Sequence, residues 1–176
     1  MAPYSPYGYH KRIAELLCES YGRNFGIATA VVRLFSVYGP WLRKQLLWDL
    51  CGRLREAPST LSLAGSGAES RDWLHVSDAV GFLCVAARRA NPDCLMVNGA
   101  TGRALSVLQV AQHVSAAWGI DPSIRFSGES RPGDPAYLVA DTARARALGI
   151  EPRVRWEEGM AEYVRWYRDA ESGAHR

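Results

Sequence analysis

The sequence has no run of about 18 apolar residues, the length that a helix needs to cross a bilayer. Its opening residues lack the basic start and apolar block of a secretory leader. These two absences lead to the expectation of a cytoplasmic protein with no membrane partner. Lysine is scarce: Lys11 and Lys44 stand among 21 basic residues, which are interleaved with 18 acidic ones. Without a basic run or an aromatic platform between basic residues, nucleic acid is not an expected partner. Single arginines suited to phosphate or carboxylate forks remain. The cysteines (Cys18, Cys51, Cys84, Cys94) and histidines (His10, His75, His113, His175) show no metal-ligand spacing. Neither a metal nor a disulfide is expected, since free cysteine in an apolar helical pattern acts as a small hydrophobe. Glycine-rich phosphate turns are lacking too. The glycines cluster as GSG and GATG, and no G-x-G-x-x-G follows an opening strand.

What is present is ordinary globular material, 176 residues at 48% hydrophobic and 22% charged, enough for one large domain or two small ones. Ser5-Pro6 reads as a helix start, with Ile13, Leu16 and Leu17 on an apolar side and a stop at Tyr21-Gly22. GIATAVVRLF, residues 26–35, is a nearly unbroken β-branched run, the pattern of a parallel strand covered on both faces. Leu42, Leu46, Leu47, Leu50, Cys51 and Leu54 keep a helical period before Pro58. LSLAG and WLHV read as short strands, and Ser77 as the cap of a helix whose inner face is Val80, Leu83, Cys84 and Ala87. LMVNG is a further strand. Ser106 with Gln109 forms a capping box for a helix ending at Gly119. IRF, a short helix capped by Asp141, and a stripe of Met160, Tyr163, Val164 and Tyr167 complete the pattern. Alternating strands and helices argue for an α/β protein.

Within the first helix, YGYHK places Tyr7 and Lys11 one turn apart on one face. A cation beside a phenol favours the phenolate and suits general acid–base work, although the same spacing occurs by chance on many exposed helices.

Taken in series, SPYGYHK, VVRLFSVYGP, SRDWLHVSDAV, NGATGRALSV and RPGDPAYLVADTARARALGI resemble the extended short-chain dehydrogenase/reductase family. The resemblance is to its NAD-dependent nucleotide-sugar epimerases and dehydratases of the UDP-glucose 4-epimerase type, and to the C-terminal half alone. It implies the C-terminal part of a Rossmann-type parallel sheet with a small α/β substrate-binding lobe. Residues 1–40 would end a dinucleotide-binding domain whose N-terminal part is missing. Residues 41–176 would be mainly substrate-binding, with 77–99 packing back on the Rossmann sheet.

The resemblance also implies roles. Tyr7 would exchange a proton with a sugar hydroxyl, and Lys11 would support it and hold the nicotinamide ribose of NAD. Phe35 lies where the family approaches the nicotinamide. Arg71 and Arg131 would grip the diphosphate of a nucleotide-diphosphate sugar, with Asp134 near the nucleoside ribose. The family's asparagine after the strand is here Ser36, and the aromatic that precedes the glycine to stack on the base is here Ala64. The family's catalytic serine or threonine has no counterpart. The chain alone is therefore expected to be inactive and to bind NAD poorly. It is expected to associate as a homodimer through the tyrosine-lysine helix, or with a separate N-terminal half. A non-catalytic nucleotide-sugar-binding or interaction module, or a truncated remnant, is the alternative. Epimerase and dehydratase are not separated.

Overall fold

A computed structural model describes Pro3, residues 5–129 and residues 135–173. In chain order these form α1 (Pro6–Phe25), β1 (Ala30–Leu34), β2 (Ser36–Tyr38), α2 (Gln45–Glu56), β3 (Thr60–Leu63), β4 (Ser70–His75) and α3 (Val76–Arg88). There follow β5 (Leu95–Gly99), β6 (Ala104–Ser106), α4 (Val107–Trp118), β7 (Ser123–Phe126), β8 (Tyr137–Leu138), α5 (Ala143–Ala147) and α6 (Trp156–Gly173).

Within the apolar run of residues 26–35 the strand is Ala30–Leu34, and the following residues 36–38, rather than breaking it, form a second strand. The chain changes sheets at Phe35: β1 pairs parallel with β5, placing Val32 opposite Val97, whereas β2 pairs parallel with β4, placing Val37 opposite Leu74. The sequence hides this switch because VVRLFSV is apolar on both sides of it. β4 is the central strand of its sheet. It pairs antiparallel with β6 and parallel with β8, and β3 pairs parallel with β7.

The main core lies where α2, α4 and α6 meet the strands. Leu50, Leu54, Val110, Val114, Met160, Tyr163 and Val164 are fully covered there. Each such side chain stabilises the fold by about 1.5–3 kcal/mol through the apolar area it removes from water. The Ser106–Gln109 capping box forms as expected, with Gln109 N–H donating to Ser106 Oγ at 3.1 Å and Ser106 N–H to Gln109 Oε1 at 2.9 Å. A second cluster gathers Leu74, Ala79, Phe82, Ala145 and Ile150.

α3 differs from its expected form. Its N-cap is His75, whose Nδ1 accepts from the Ser77 N–H at 3.3 Å, so Ser77 lies inside the first turn. Its buried face is Asp78, Ala79, Phe82 and Ala86; Val80, Leu83, Cys84 and Ala87 are exposed. The helix is apolar on both sides, so periodicity alone could not choose. Asp78 decides it by accepting from the N–H groups of Arg153 and Val154, both at 3.0 Å. At α5 the N-cap is Thr142, although Asp141 accepts from the Ala143 N–H at 2.9 Å.

α1 runs past the expected stop at Gly22 and closes at Gly26, which has φ 67°. Gly22 remains helical because the helix meets the chain before β5 there: a Cβ would overlap the Pro92 carbonyl. Otherwise α1 buries just Glu15 among its side chains, while Ile13, Leu16 and Leu17 stay exposed. Arg33 of β1 holds Glu15 in a fork, Nε to Oε1 at 2.6 Å and Nη2 to Oε2 at 2.7 Å, and Arg12 adds a bond at 3.0 Å. Hydrogen bonds from Arg33, supported by Arg12, hold the Glu15 carboxyl below its usual range against the opposing effect of desolvation.

Two outcomes follow. Gly22→Ala should destabilise the fold by about 1–3 kcal/mol through overpacking, read from urea unfolding. A lowered folded-state pKa makes the Glu15 contribution fully present above the unfolded carboxylate value, about 4.3, and lost as pH falls through the folded value. Stability should therefore drop more steeply below about pH 4.3 in the native chain than in Glu15→Gln; parallel pH profiles would remove the fork from the account.

Candidate functional site

Two cavities flank the segment from β2 to the start of α2. The first, about 560 Å³, is lined by Phe35, Ser36, Val37, Gln45, Val76 and Leu138 among others. The second, about 860 Å³, includes Ser36, Arg43, Gln45, Ala64, Glu69 and Arg71. Ser36 and Gln45 belong to both, so they form the waist between them. The first cavity opens beyond the C-terminal end of β1, the place where open parallel sheets bind ligands.

The structure thus places Phe35 and Ser36 on the first cavity and Ser36 and Arg71 on the second. Arg71 belongs to β4 rather than to a surface loop, is half-buried, and donates from Nη1 to the Ser70 carbonyl at 3.0 Å. Tyr7 and Lys11 meet on α1, with Lys11 Nζ 5.2 Å from the centre of the Tyr7 ring, so the cation lies over the ring face. Tyr7 is 70% exposed, and neither residue is among the described residues that line the two cavities. Arg131 and Asp134 lie outside the described residues.

Several residues that support the site were not singled out from sequence. Asp72, fully buried beside Arg71, accepts from Thr101 N–H at 2.8 Å, Thr101 Oγ1 at 2.7 Å, Gly102 N–H at 2.8 Å and Ala140 N–H at 3.3 Å. An acidic residue directly before the buried strand run WLHV was the available signal. Glu69 lines the second cavity but turns its charge into the GSG turn. It accepts from Ser66 N–H at 2.8 Å, Ser66 Oγ at 3.0 Å and Gly67 N–H at 2.9 Å. The Ser66 N–H above all keeps its carboxyl below the usual range. His75 is buried with its ring edge-on to Tyr38, at 5.4 Å between centres. Among the described residues, no cluster of histidine, cysteine and acidic side chains could hold a metal ion.

Parallel pairing, a cavity beyond the end of β1 and a neighbouring cavity lined by Arg71 mark an α/β fold of the nucleotide-binding kind. The chain belongs to the NAD dependent epimerase/dehydratase family, whose model it matches over residues 1–97. It is 30% identical over 173 residues to dTDP-glucose 4,6-dehydratase of Streptomyces niveus, covering 96% of this chain and 50% of that protein. The UDP-glucose 4-epimerase of Thermotoga maritima, solved with UDP-glucose, superposes with a TM-score of 0.86 at 28% identity, over 96% of this chain and 55% of that one. MoeE5 in complex with UDP-glucuronic acid and NAD gives 0.83 at 31% identity, over 96% and 57%. The fold is the Rossmann-like α/β fold of these enzymes, and the chain spans about half their length.

Asp72→Asn leaves one acceptor oxygen where two served four donors. It should cost about 1–3 kcal/mol of stability and speed amide exchange at Thr101, Gly102 and Ala140. Unchanged exchange at these three amides would contradict the geometry.

Proposed function

We propose that this chain is the substrate side of an NAD-dependent nucleotide-sugar epimerase or dehydratase, acting by reversible hydride transfer at a sugar carbon. The observation that carries this reading is the placement of Arg71 on a cavity that shares Ser36 with the cavity lined by Phe35. The diphosphate of the nucleotide sugar would lie on Arg71, whose guanidinium fork matches two phosphate oxygens. Arg131 and Asp134 would add a second fork and a carboxylate near the ribose. The sugar would then extend toward Ser36.

Tyr7 and Lys11 fit the nicotinamide end of NAD in kind, because their side chains meet on one face of α1. When bound, NAD would supply the hydride acceptor. Tyr7 would move the proton of the reacting hydroxyl, Lys11 would hold ribose hydroxyls with its ammonium donors, and Phe35 would border the ring. Residues 1–40 with 77–99 would form the cofactor side, and 41–176 mainly the substrate side. The exposed Ile13, Leu16 and Leu17 of α1 and Val80 and Leu83 of α3 suit burial against a second copy or a cofactor-binding half. Turnover would need that complement, in the cytoplasm. A second reading, a nucleotide-sugar-binding module without hydride transfer, is favoured by one observation: Tyr7 is outside both cavity linings.

Titration of the chain with UDP tests the site under either reading. Arg71→Ala should weaken binding about tenfold or more, since a hydrogen bond to a charged group contributes about 1.5–3 kcal/mol. Arg71→Lys should recover part of it, because a point charge lacks the fork. Added salt should weaken the native chain more than Arg71→Ala. Equal binding by Arg71→Ala would refute the diphosphate role.

A further inference from the structure

The first cavity has a lining without charge among the described residues, and its polar side chains are Ser36, Tyr38 and Gln45. Tyr38 is 1% exposed and its hydroxyl donates to the Trp156 carbonyl at 3.4 Å, so it faces into the protein. Ser36 and Gln45 are left to meet a ligand, and they are the two residues common to both cavities. Gln45 is exposed, and its side-chain amide has no hydrogen-bond partner among the described residues. Its backbone is left-handed at φ 67°, as is that of Trp41 at φ 75° in the same connection. Side chains rarely hold that region, and where they do the strain tends to collect at binding sites.

The chemistry separates the two waist residues. A serine hydroxyl donates one hydrogen bond and accepts at short reach, whereas a primary amide offers two donors and an acceptor at the end of a longer stem. A hexose ring hydroxyl donates and accepts at once, so an amide is its natural complement. We infer that Gln45 is the specificity-determining side chain for the sugar, hydrogen-bonding a hydroxyl of the hexose next to the diphosphate, which Ser36 is too short to reach. This rests on the nucleotide-sugar reading of the site. Arg71 sets the diphosphate in the second cavity, the waist then receives the first sugar ring, and the uncharged first cavity suits a neutral hexose rather than a uronate.

The test compares UDP with UDP-glucose by NMR titration of the full chain, native, Gln45→Gly and Arg71→Ala. Glycine adopts φ 67° without strain, so Gln45→Gly removes the amide and keeps the backbone. The native chain should bind UDP-glucose more tightly than UDP. Gln45→Gly should weaken UDP-glucose by about three- to tenfold, the range of one neutral hydrogen bond, and leave UDP within about twofold. An unchanged UDP-glucose affinity, or equal loss for both ligands, overturns the role of Gln45. Should Arg71→Ala weaken both ligands while Gln45→Gly leaves their ratio untouched, Gln45 alone fails and the site stands. Should the native chain bind neither ligand, the site reading fails and takes this inference with it.

Discussion

A buried carboxylate organises the region around the candidate site. Asp72 is fully buried in the central strand β4, and an ionised carboxylate there is tolerable because four donors surround it. Those donors come from the turn after β5 and from the residue two beyond β8. One side chain thus ties together three segments that are distant in sequence, and it does so beside Arg71. The arginine is in turn fixed on a strand paired on both edges, by β6 and β8. A guanidinium on such a strand loses less freedom on binding than one on a loop, which is what a fork for a diphosphate requires.

The helix α1 is held much more lightly. α1 carries Tyr7 and Lys11, yet it is tied to β1 by the Glu15–Arg33 fork, to the residue before β1 by the Thr29 hydroxyl donating to the Cys18 carbonyl at 3.2 Å, and to the chain before β5 by the close approach at Gly22. Tyr7, Lys11 and Glu15 stand at successive intervals of four, so the fork also sets which way the tyrosine-lysine face points. Ile13, Leu16 and Leu17 on the apolar side of α1 stay exposed. The substrate side has a dense core of its own. The tyrosine-lysine helix is held by a few polar or close-packed anchors. That asymmetry matches a chain that spans about half the length of the enzymes it is similar to.

Much of this was legible in the sequence wherever one physical signal acted alone. The α6 stripe of Met160, Tyr163, Val164 and Tyr167 is 0–1% exposed as its spacing requires, and the Ser5 and Ser106 caps form. Legibility failed where two signals coincided. α3 is apolar on both sides, so its buried face was set by Asp78 reaching the Arg153 and Val154 amides, a long-range contact with no local trace. The change of sheet at Phe35 lies inside one unbroken apolar run. Phe35, Ser36 and Arg71, singled out from motifs, line the two cavities. Gln45 carries no motif, and its place on the lining of both cavities is set by tertiary packing that sequence spacing does not encode. Arg131 and Asp134, expected beside the diphosphate, fall outside the described residues.

The central claim is that the two adjoining cavities, lined by Arg71, Ser36 and Phe35, receive a nucleotide sugar. A crystal structure of the chain soaked with UDP-glucose tests it most directly. The account predicts the diphosphate within hydrogen-bond reach of the Arg71 guanidinium and the hexose at the waist beside Ser36. A ligand bound elsewhere on the molecule, with both cavities holding solvent alone, would contradict it.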